Sequence, residues 1–255
     1  MAKRSLLSIL RSRFPDVDKD RLFARILCGE VAVDGEVERD PKRVIPSTAA
    51  VELIPARFVS RGGEKLEAAV FAWDIEVRGR VFLDAGASTG GFTDCLLRYG
   101  AAAVHAVDVG YNQLAYSLRQ NPRVFVHEST NIRSVTTLDP RPDAAVCDLS
   151  FRSLRGVAGG LLELAAEGWF IALLKPQFEW RDAPAAFDGV VRDSQYLRRI
   201  ILETLTGLAE EGAYAHRLLP SPLRGRRGNR EYLVLCTDRT GPLPEALLAS
   251  LGDDG

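Results

Sequence analysis

An α/β fold built on a parallel, doubly wound sheet is predicted for most of this chain, with a small α+β module ahead of it. Three observations carry that expectation. From Glu64 onward, apolar runs of strand length alternate with segments of helical period, the pattern of repeated βαβ units. One junction, Leu83-Asp84-Ala85-Gly86-Ala87-Ser88-Thr89-Gly90-Gly91-Phe92, reads as a strand end, a small-residue turn and a helix start. Seventeen residues after Gly91, a second apolar run, 101–107, ends at Asp108, where a carboxylate can accept both hydroxyls of a ribose. Together they predict a nucleoside-containing ligand across the carboxyl ends of parallel strands.

Residues 1–54 read as a separate module. Leu6, Leu7 and Leu10 have helical spacing; Leu22, Phe23, Ile26 and Leu27 form a second apolar face, with Gly29 as its C-cap. Val31, Val33 and Val37 alternate around Asp34-Gly35, a hairpin turn signal, and Val51, Leu53 and Ile54 supply another strand. Residues 55–60 are expected to be a linker. The second domain, 61–239, opens on a helix with Leu66, Ala69, Val70 and Trp73 on one face. Strands are predicted at 81–84, 102–108, 124–126, 144–148, 169–174, 213–219 and 231–236. Helices are predicted at 92–99, 112–118 and 154–165, followed by a long one capped by Ser194. Residues 240–255 read as a short tail.

The chain has 255 residues, 46% hydrophobic and 26% charged, enough for one sizeable core and a small second domain. Net charge is −1, so overall basicity does not announce nucleic acid, but Arg4, Arg11, Arg21 and Arg25 at one end, Arg61, and Arg226 and Arg227 near the other are local candidates for phosphate contacts. Cys28, Cys95, Cys147 and Cys236 are scattered without C-x-x-C spacing, which fits buried thiols in a reducing compartment and predicts neither a metal site nor a disulfide framework. His105, His127 and His216 lie on or near strands and are assigned no chemistry. No membrane-length apolar stretch and no signal segment is evident, so a soluble cytoplasmic protein without a membrane partner is expected.

The 84–92 loop lacks the Lys of a nucleotide-triphosphate cradle and is not a clean G-x-G-x-x-G. Asp84, directly before the turn, would repel a pyrophosphate and suits a cationic amino group instead, which favours S-adenosyl-L-methionine as the cofactor. Four more charged residues fall where the ligand edge should be. Asp148 ends one strand, Lys175 ends the next and is held by Pro176, Glu231 begins the last strand, and Lys65 sits on the first helix after Arg61-Gly62-Gly63. A partly buried lysine can remove a proton from a hydroxyl. Each residue also has a plain alternative: Lys175 as an exposed strand-end lysine, Asp148 as a helix cap, Glu231 as a surface acid paired with Arg230, Lys65 as a solvated position beside Glu64. The functional reading rests on convergence at one edge.

Five segments, Ser60-Arg61-Gly62-Gly63-Glu64-Lys65-Leu66, Asp84 through Asp94, Asp108-Val109-Gly110-Tyr111-Asn112-Gln113-Leu114, Lys175-Pro176-Gln177-Phe178-Glu179 and Gly228-Asn229-Arg230-Glu231, together closely resemble the TlyA family, called haemolysins and also ribosomal-RNA 2′-O-methyltransferases related to the FtsJ type. The resemblance covers almost the whole chain. It implies a Rossmann-like S-adenosylmethionine-dependent methyltransferase sheet and, for residues 1–54, an alpha-L type RNA-binding domain matched by 20–24 and 29–35. The family's Lys-Asp-Lys-Glu tetrad falls on Lys65, Asp148, Lys175 and Glu231. By that resemblance Lys175 would deprotonate a ribose 2′-hydroxyl, Lys65 and Glu231 would orient the nucleotide and the central lysine, and Asp148 would sit near the transferring methyl, as a cofactor-binding residue too, and help hold Lys175. The 84–92 loop (Asp84, Gly86, Ala87, Ser88, Thr89, Gly90, Gly91, Phe92) would hold methionine and ribose, Asp108 the ribose hydroxyls, and Thr130 or Asn131 would face adenine.

The resemblance implies cytidine in ribosomal RNA or ribosomal subunits as the acceptor and no metal, leaving monomer and homodimer both open. The module's opening, Lys3-Arg4-Ser5, departs from the family's Arg-Leu-Asp, and Asp16, Asp18 and Asp20 dilute its basic face, while the 223–228 loop is more basic than the family pattern and would take some RNA contact to the catalytic domain. Three other readings stand beside the enzyme: a membrane-active haemolysin, an RNA-binding protein without catalysis, and a base methyltransferase, which would want a catalytic Cys or an Asn-Pro-Pro-type motif not evident here.

Overall fold

Two compact units, 1–57 and 58–255, each enclose their own core. The structure, a computed structural model, describes residues 3–27, 29–55, 57–150, 152–225 and 227–252; of Arg21 only the backbone is described.

The first unit comprises β1 (Lys3–Ser5), α1 (Leu6–Arg13), α2 (Lys19–Leu27), β2 (Val31–Val33), β3 (Glu36–Val37), β4 (Val44–Pro46) and β5 (Val51–Leu53). Ser5 caps α1, its hydroxyl accepting from the Ser8 amide. Strand β1 pairs antiparallel with β4, and β3-β2-β5 form a second antiparallel sheet. The β2–β3 turn has Asp34 and Gly35 at φ 52° and 86°, the doubly left-handed pattern that Asp-Gly adopts cheaply. Leu6, Leu10, Leu22, Ile26, Val31 and Ile45 are buried together. Phe23 departs from expectation: it is 40% exposed, because Leu22 and Ile26, one turn apart, take the inward face of α2.

The second unit comprises α3 (Gly62–Trp73), β6 (Val81–Ala85), α4 (Gly91–Arg98), β7 (Ala103–Val107), α5 (Tyr116–Arg119), β8 (Val124–His127), β9 (Ala144–Cys147), α6 (Ala158–Leu164), β10 (Trp169–Leu174), α7 (Pro176–Glu179), α8 (Ser194–Glu210), β11 (Tyr214–Pro220), β12 (Tyr232–Thr237) and α9 (Pro244–Ala249). Its seven-stranded sheet has the order β11-β12-β10-β9-β6-β7-β8. Strands β6 to β10 pair in parallel; β12 runs against both of its neighbours. Central strands β7, β9 and β10 are buried almost throughout, as expected of strands covered on both faces. Leu66, Val70 and Phe92 of α3 and α4 pack on one face; Leu161 of α6, Ile200 and Leu205 of α8, and Leu247 and Leu248 of α9 pack on the other.

Several boundaries differ from the sequence reading. Phe58 is buried in the second unit's core, so the division falls before it rather than at 60; its ring fills the space a side chain at Gly63 would need. Asp193, not Ser194, caps α8, accepting from the amides of Gln195 and Tyr196; both residue types can cap, and the helix starts one residue earlier than read. The predicted 112–118 helix shrinks to α5, because Asn112 takes a left-handed φ of 56° and Glu128 ties down the Gln113 amide. Within 240–255, read as a tail, α9 docks two leucines against the core.

Strand order reverses between β6 and β9: the chain steps outward through β7 and β8 on one side, through β10 on the other. In open α/β sheets a ligand crevice forms at the carboxyl ends of such a pair. Asp84 and Asp148 flank it.

Candidate active site

The four residues of the proposed tetrad come from elements that the sheet brings to one edge. Asp148 follows β9 and Lys175 follows β10, where Lys175 is the N-cap of α7 and Pro176 fixes the first helical turn. Glu231 reaches the same place only because β12 is antiparallel: Leu174 pairs with Tyr232, so the residue after one strand neighbours the residue before the other. Lys65 lies in the first turn of α3, whose start touches the glycine loop so closely that a side chain on Gly91 would meet the Gly63 nitrogen at 2.9 Å.

Two ion pairs result. Lys65 Nζ lies 2.5 Å from Glu231 Oε2, both side chains nearly sealed from solvent. Lys175 Nζ lies 2.6 Å from Asp148 Oδ1 and 3.4 Å from the Ser150 hydroxyl. The Lys175–Asp148 approach is close but poorly aligned for a hydrogen bond, leaving that oxygen's lone pairs without a donor in good geometry. A side chain at Gly225 would stand 2.5 Å from Glu231 Oε1, so its absence leaves the carboxylate room. The arrangement holds an amine beside a carboxylate at the sheet edge, a geometry in which the neutral amine can accept a proton and the carboxylate offset the charge that arrives with it.

Glu179 stands in the sequence only as the last residue of the Lys175–Glu179 segment; the structure gives it a supporting task. It is buried, and its carboxylate accepts from the Ser153 hydroxyl at 2.5 Å and the Leu154 amide at 2.8 Å. Burial pushes its pKa up, and these hydrogen bonds counter that. Because α7 also begins at Lys175, Glu179 ties the loop after Asp148 to the helix after Lys175. Its removal orphans a buried amide, so Glu179→Ala is expected to cost about 1–3 kcal/mol of stability, read as a lowered urea midpoint.

The glycine loop is built differently from the simplest expectation. Gly86 and Gly90 take φ of 85° and 93°, and any side chain there would strike the Asp148 carbonyl or Leu118. These glycines close the loop against the chain's own backbone and side chains rather than clearing space for a ligand. Ser88 and Thr89 remain exposed at its tip, whereas Ala87 and Phe92 are buried. Phe92 packs with Phe58 and Leu66, so its side chain serves the core and not a cofactor, a correction to its placement among the binding residues.

Asp84 is completely buried. Its Oδ2 accepts from the Thr93 amide and hydroxyl at 2.9 and 2.6 Å, while Oδ1 has no partner. Burial pushes its carboxyl up to about 7; the Thr93 bonds oppose that shift and the nearby charges of Asp148 and Asp108 add to it. Asp108 accepts from the amides of Ser88 and Gly110 at 2.8 and 2.7 Å, which binds the β7 end to the glycine loop. Asn131 lies exposed beyond β8, its side-chain oxygen already accepting from the Arg133 amide. The Thr130 hydroxyl donates to the Glu128 carbonyl.

Of the expected RNA contacts, Arg4 on β1 and Arg11 on α1 are exposed, and Arg61 is half-buried at the start of α3. Arg25 is spent on its own unit, donating to the Ile54 carbonyl at 2.7 Å and pairing with Glu30 at 3.2 Å, which corrects its reading as a phosphate contact. Arg227 is exposed and donates to the Asp188 carbonyl. Position 21 lies on α2, and the Arg21 side chain and Arg226 fall outside the described residues. Among the described residues, no helix is long and apolar enough to cross a membrane, and no cluster of three or more His, Cys, Asp or Glu could hold a metal. Cys95, Cys147 and Cys236 are buried.

The FtsJ-like methyltransferase family model matches residues 58–237. The 16S/23S rRNA (cytidine-2′-O)-methyltransferase TlyA of Mycobacterium tuberculosis is 42% identical over 218 residues, spanning 83% of this chain and 81% of that protein. Hemolysin A of Brachyspira hyodysenteriae is 38% identical over 214 residues, 82% of this chain and 89% of its own length. A solved structure labelled a hemolysin, from Streptococcus thermophilus, superposes with a TM-score of 0.72 at 31% identity, covering 98% of this chain and 96% of that one. With its catalytic-type edge, its mainly parallel sheet and these relatives, the chain belongs to the FtsJ-like methyltransferases, in the group that includes the TlyA ribosomal-RNA enzymes and hemolysin A.

Proposed function

We propose that this protein transfers a methyl group from S-adenosyl-L-methionine to the 2′-oxygen of a ribose, that of a cytidine in ribosomal RNA, acting in the cytoplasm on the RNA or on ribosomal subunits. One observation carries the reading: Lys175, Asp148, Lys65 and Glu231 meet at a single sheet edge as two tight ion pairs.

The cofactor assignment is supported by Asp84, whose unpartnered, buried Oδ1 suits an ammonium group. Asp108 would hold the ribose hydroxyls, and the 86–91 loop, through its backbone and its exposed tip at Ser88 and Thr89, methionine and ribose. When bound, S-adenosylmethionine supplies an electrophilic methyl on a sulfonium centre. The protein's part is to align the ribose oxygen and to take its proton. Lys175 Nζ, as the neutral amine, accepts that proton, and Asp148, 2.6 Å away, stabilises the ammonium so formed. Lys65 and Glu231 hold the nucleotide in place beside it. The buried thiol of Cys147 is pushed up by burial and by the charges of Asp148 and Asp84, so it offers no nucleophile for base methylation, which favours the ribose oxygen as acceptor.

The pH dependence of cofactor binding follows from Asp84. Its carboxyl must ionise to pair with an ammonium, and with a pKa of about 7 only roughly a tenth is ionised at pH 6. The sign is therefore weaker binding on acidification: calorimetric Kd for S-adenosylmethionine is expected to rise about tenfold from pH 8 to pH 6. Asp84→Asn should bind weakly with a flat profile. A flat wild-type profile would remove Asp84 from the binding site.

The activity test is transfer of labelled methyl from S-adenosylmethionine to ribosomal subunits that lack the modification. Label in ribosomal RNA is expected. Cofactor binding with no transfer to subunits or to free ribosomal RNA would sink the ribosomal assignment.

A further inference from the structure

The segment leaving the site, 180–196, builds a feature that proton and methyl transfer do not use. Trp180, directly after α7, meets Phe187 edge-on with ring centroids 4.9 Å apart and Tyr196 in a tilted arrangement at 5.2 Å. The Arg199 guanidinium lies over the Tyr196 ring at 5.4 Å. Against these rings opens a cavity of about 340 Å³, lined among others by Trp180, Phe187, Val191 and Tyr196, at the small end of ligand sites. Trp180 Nε1 is buried but has no acceptor, although a buried indole N–H ordinarily finds one. Tyr196 is 45% exposed.

Two tethers join this cavity to the catalytic edge. Lys175 opens α7 and Trp180 closes it, so the indole follows the amine by one short helix, about 7 Å of axial rise. The opposite wall is fastened to the residues before Glu231. The Asn229 side chain accepts from the Val191 amide at 3.0 Å and donates to the Gly189 carbonyl at 2.8 Å, and Arg227 donates to the Asp188 carbonyl at 2.9 Å. Both walls are thus continuous with segments bearing tetrad residues.

Charge decides what the cavity takes. Asp188 pairs with Arg192 at 2.7 Å, Arg199 pairs with Asp182 at 2.8 Å, and Asp193 is engaged by the α8 amides. With three aspartates against two arginines, the rim carries a net negative charge and no excess positive charge to hold a phosphate. What it offers is aromatic surface, complementary to a planar group.

We infer that this cleft is a subsite for a nucleobase, that of a nucleotide flanking the one whose ribose is methylated. The base stacks on the aromatic surface that Tyr196, Trp180 and Phe187 present to the cleft. The inference rests on the RNA-methyltransferase reading.

The test uses the full chain with 5-fluorotryptophan at its three tryptophans, the Trp180 signal being the one lost in Trp180→Phe. Titration with a cytidine hexanucleotide is expected to shift that ¹⁹F signal, and a hexamer of abasic nucleotides is not. Tyr196→Ala, which removes a half-exposed ring, should raise KM for unmethylated ribosomal RNA about tenfold with kcat within about twofold, and Tyr196→Phe should restore it. A wild-type enzyme that methylates RNA while the ¹⁹F signal ignores the hexanucleotide and Tyr196→Ala keeps the wild-type KM would overturn the subsite alone. A wild-type protein that methylates no RNA would overturn the reading beneath it, and the subsite with it.

Discussion

Lys175→Ala is expected to lower methyl transfer by about 10²–10⁴-fold while leaving the affinity for S-adenosylmethionine within a few-fold of wild type. The size follows from the usual contribution of a positioned general base. The separation of effects follows from placement: Lys175 lies after β10, whereas Asp84, the glycine loop, Asp108 and Asn131 lie beyond β6, β7 and β8. Alanine leaves Asp148 without its ion-pair partner, but that carboxylate keeps about a quarter of its side-chain surface in solvent, so the loss of stability should be small beside the loss of rate. Single-turnover rates and calorimetric binding on the same preparation check both halves. Wild-type transfer by the variant would remove Lys175 from the chemistry.

The second large effect is at Lys65 and Glu231. This pair is sealed more tightly than the first, so breaking it leaves a buried uncompensated charge, expected to cost about 3–5 kcal/mol. Lys65→Met alone should therefore lower the denaturation midpoint strongly and abolish turnover. Lys65→Met with Glu231→Leu removes both charges and should recover most of the stability, because replacing a buried pair by apolar groups is close to neutral. It should not recover activity. That outcome would separate a pair retained for substrate orientation from one retained for folding; an active double variant would show the pair to be structural only.

Much of this architecture is legible in the sequence because strands buried on both faces read as unbroken apolar runs, as at 169–174, and because the charged residues that end them stand out. What the one-dimensional pattern hides is pairing. Nothing local matches Lys65 with Glu231, which lie 166 positions apart, or shows that β12 runs backwards and so delivers Glu231 to the Lys175 side. The glycines signal a tight loop, but only packing shows that Gly86, Gly90 and Gly91 admit Asp148, Leu118 and Ser60 rather than a ligand. Arg25 looks like any other basic residue until Ile54 and Glu30 are seen to engage it. Glu179 and Asn229 escape notice for the same reason: their roles are hydrogen bonds to distant loops, made by residue types that also populate surfaces.

The central claim is that the edge formed by Lys65, Asp148, Lys175 and Glu231 methylates a ribose oxygen. The most direct measurement is nucleoside mass spectrometry of ribosomal RNA methylated by the protein in vitro, beside the Lys175→Ala variant. The predicted product is a nucleoside whose added 14 mass units stay with the sugar on glycosidic cleavage, formed by the wild type and absent with the variant. A methyl group that leaves with the base, or one that Lys175→Ala still installs at the wild-type rate, would contradict the assignment.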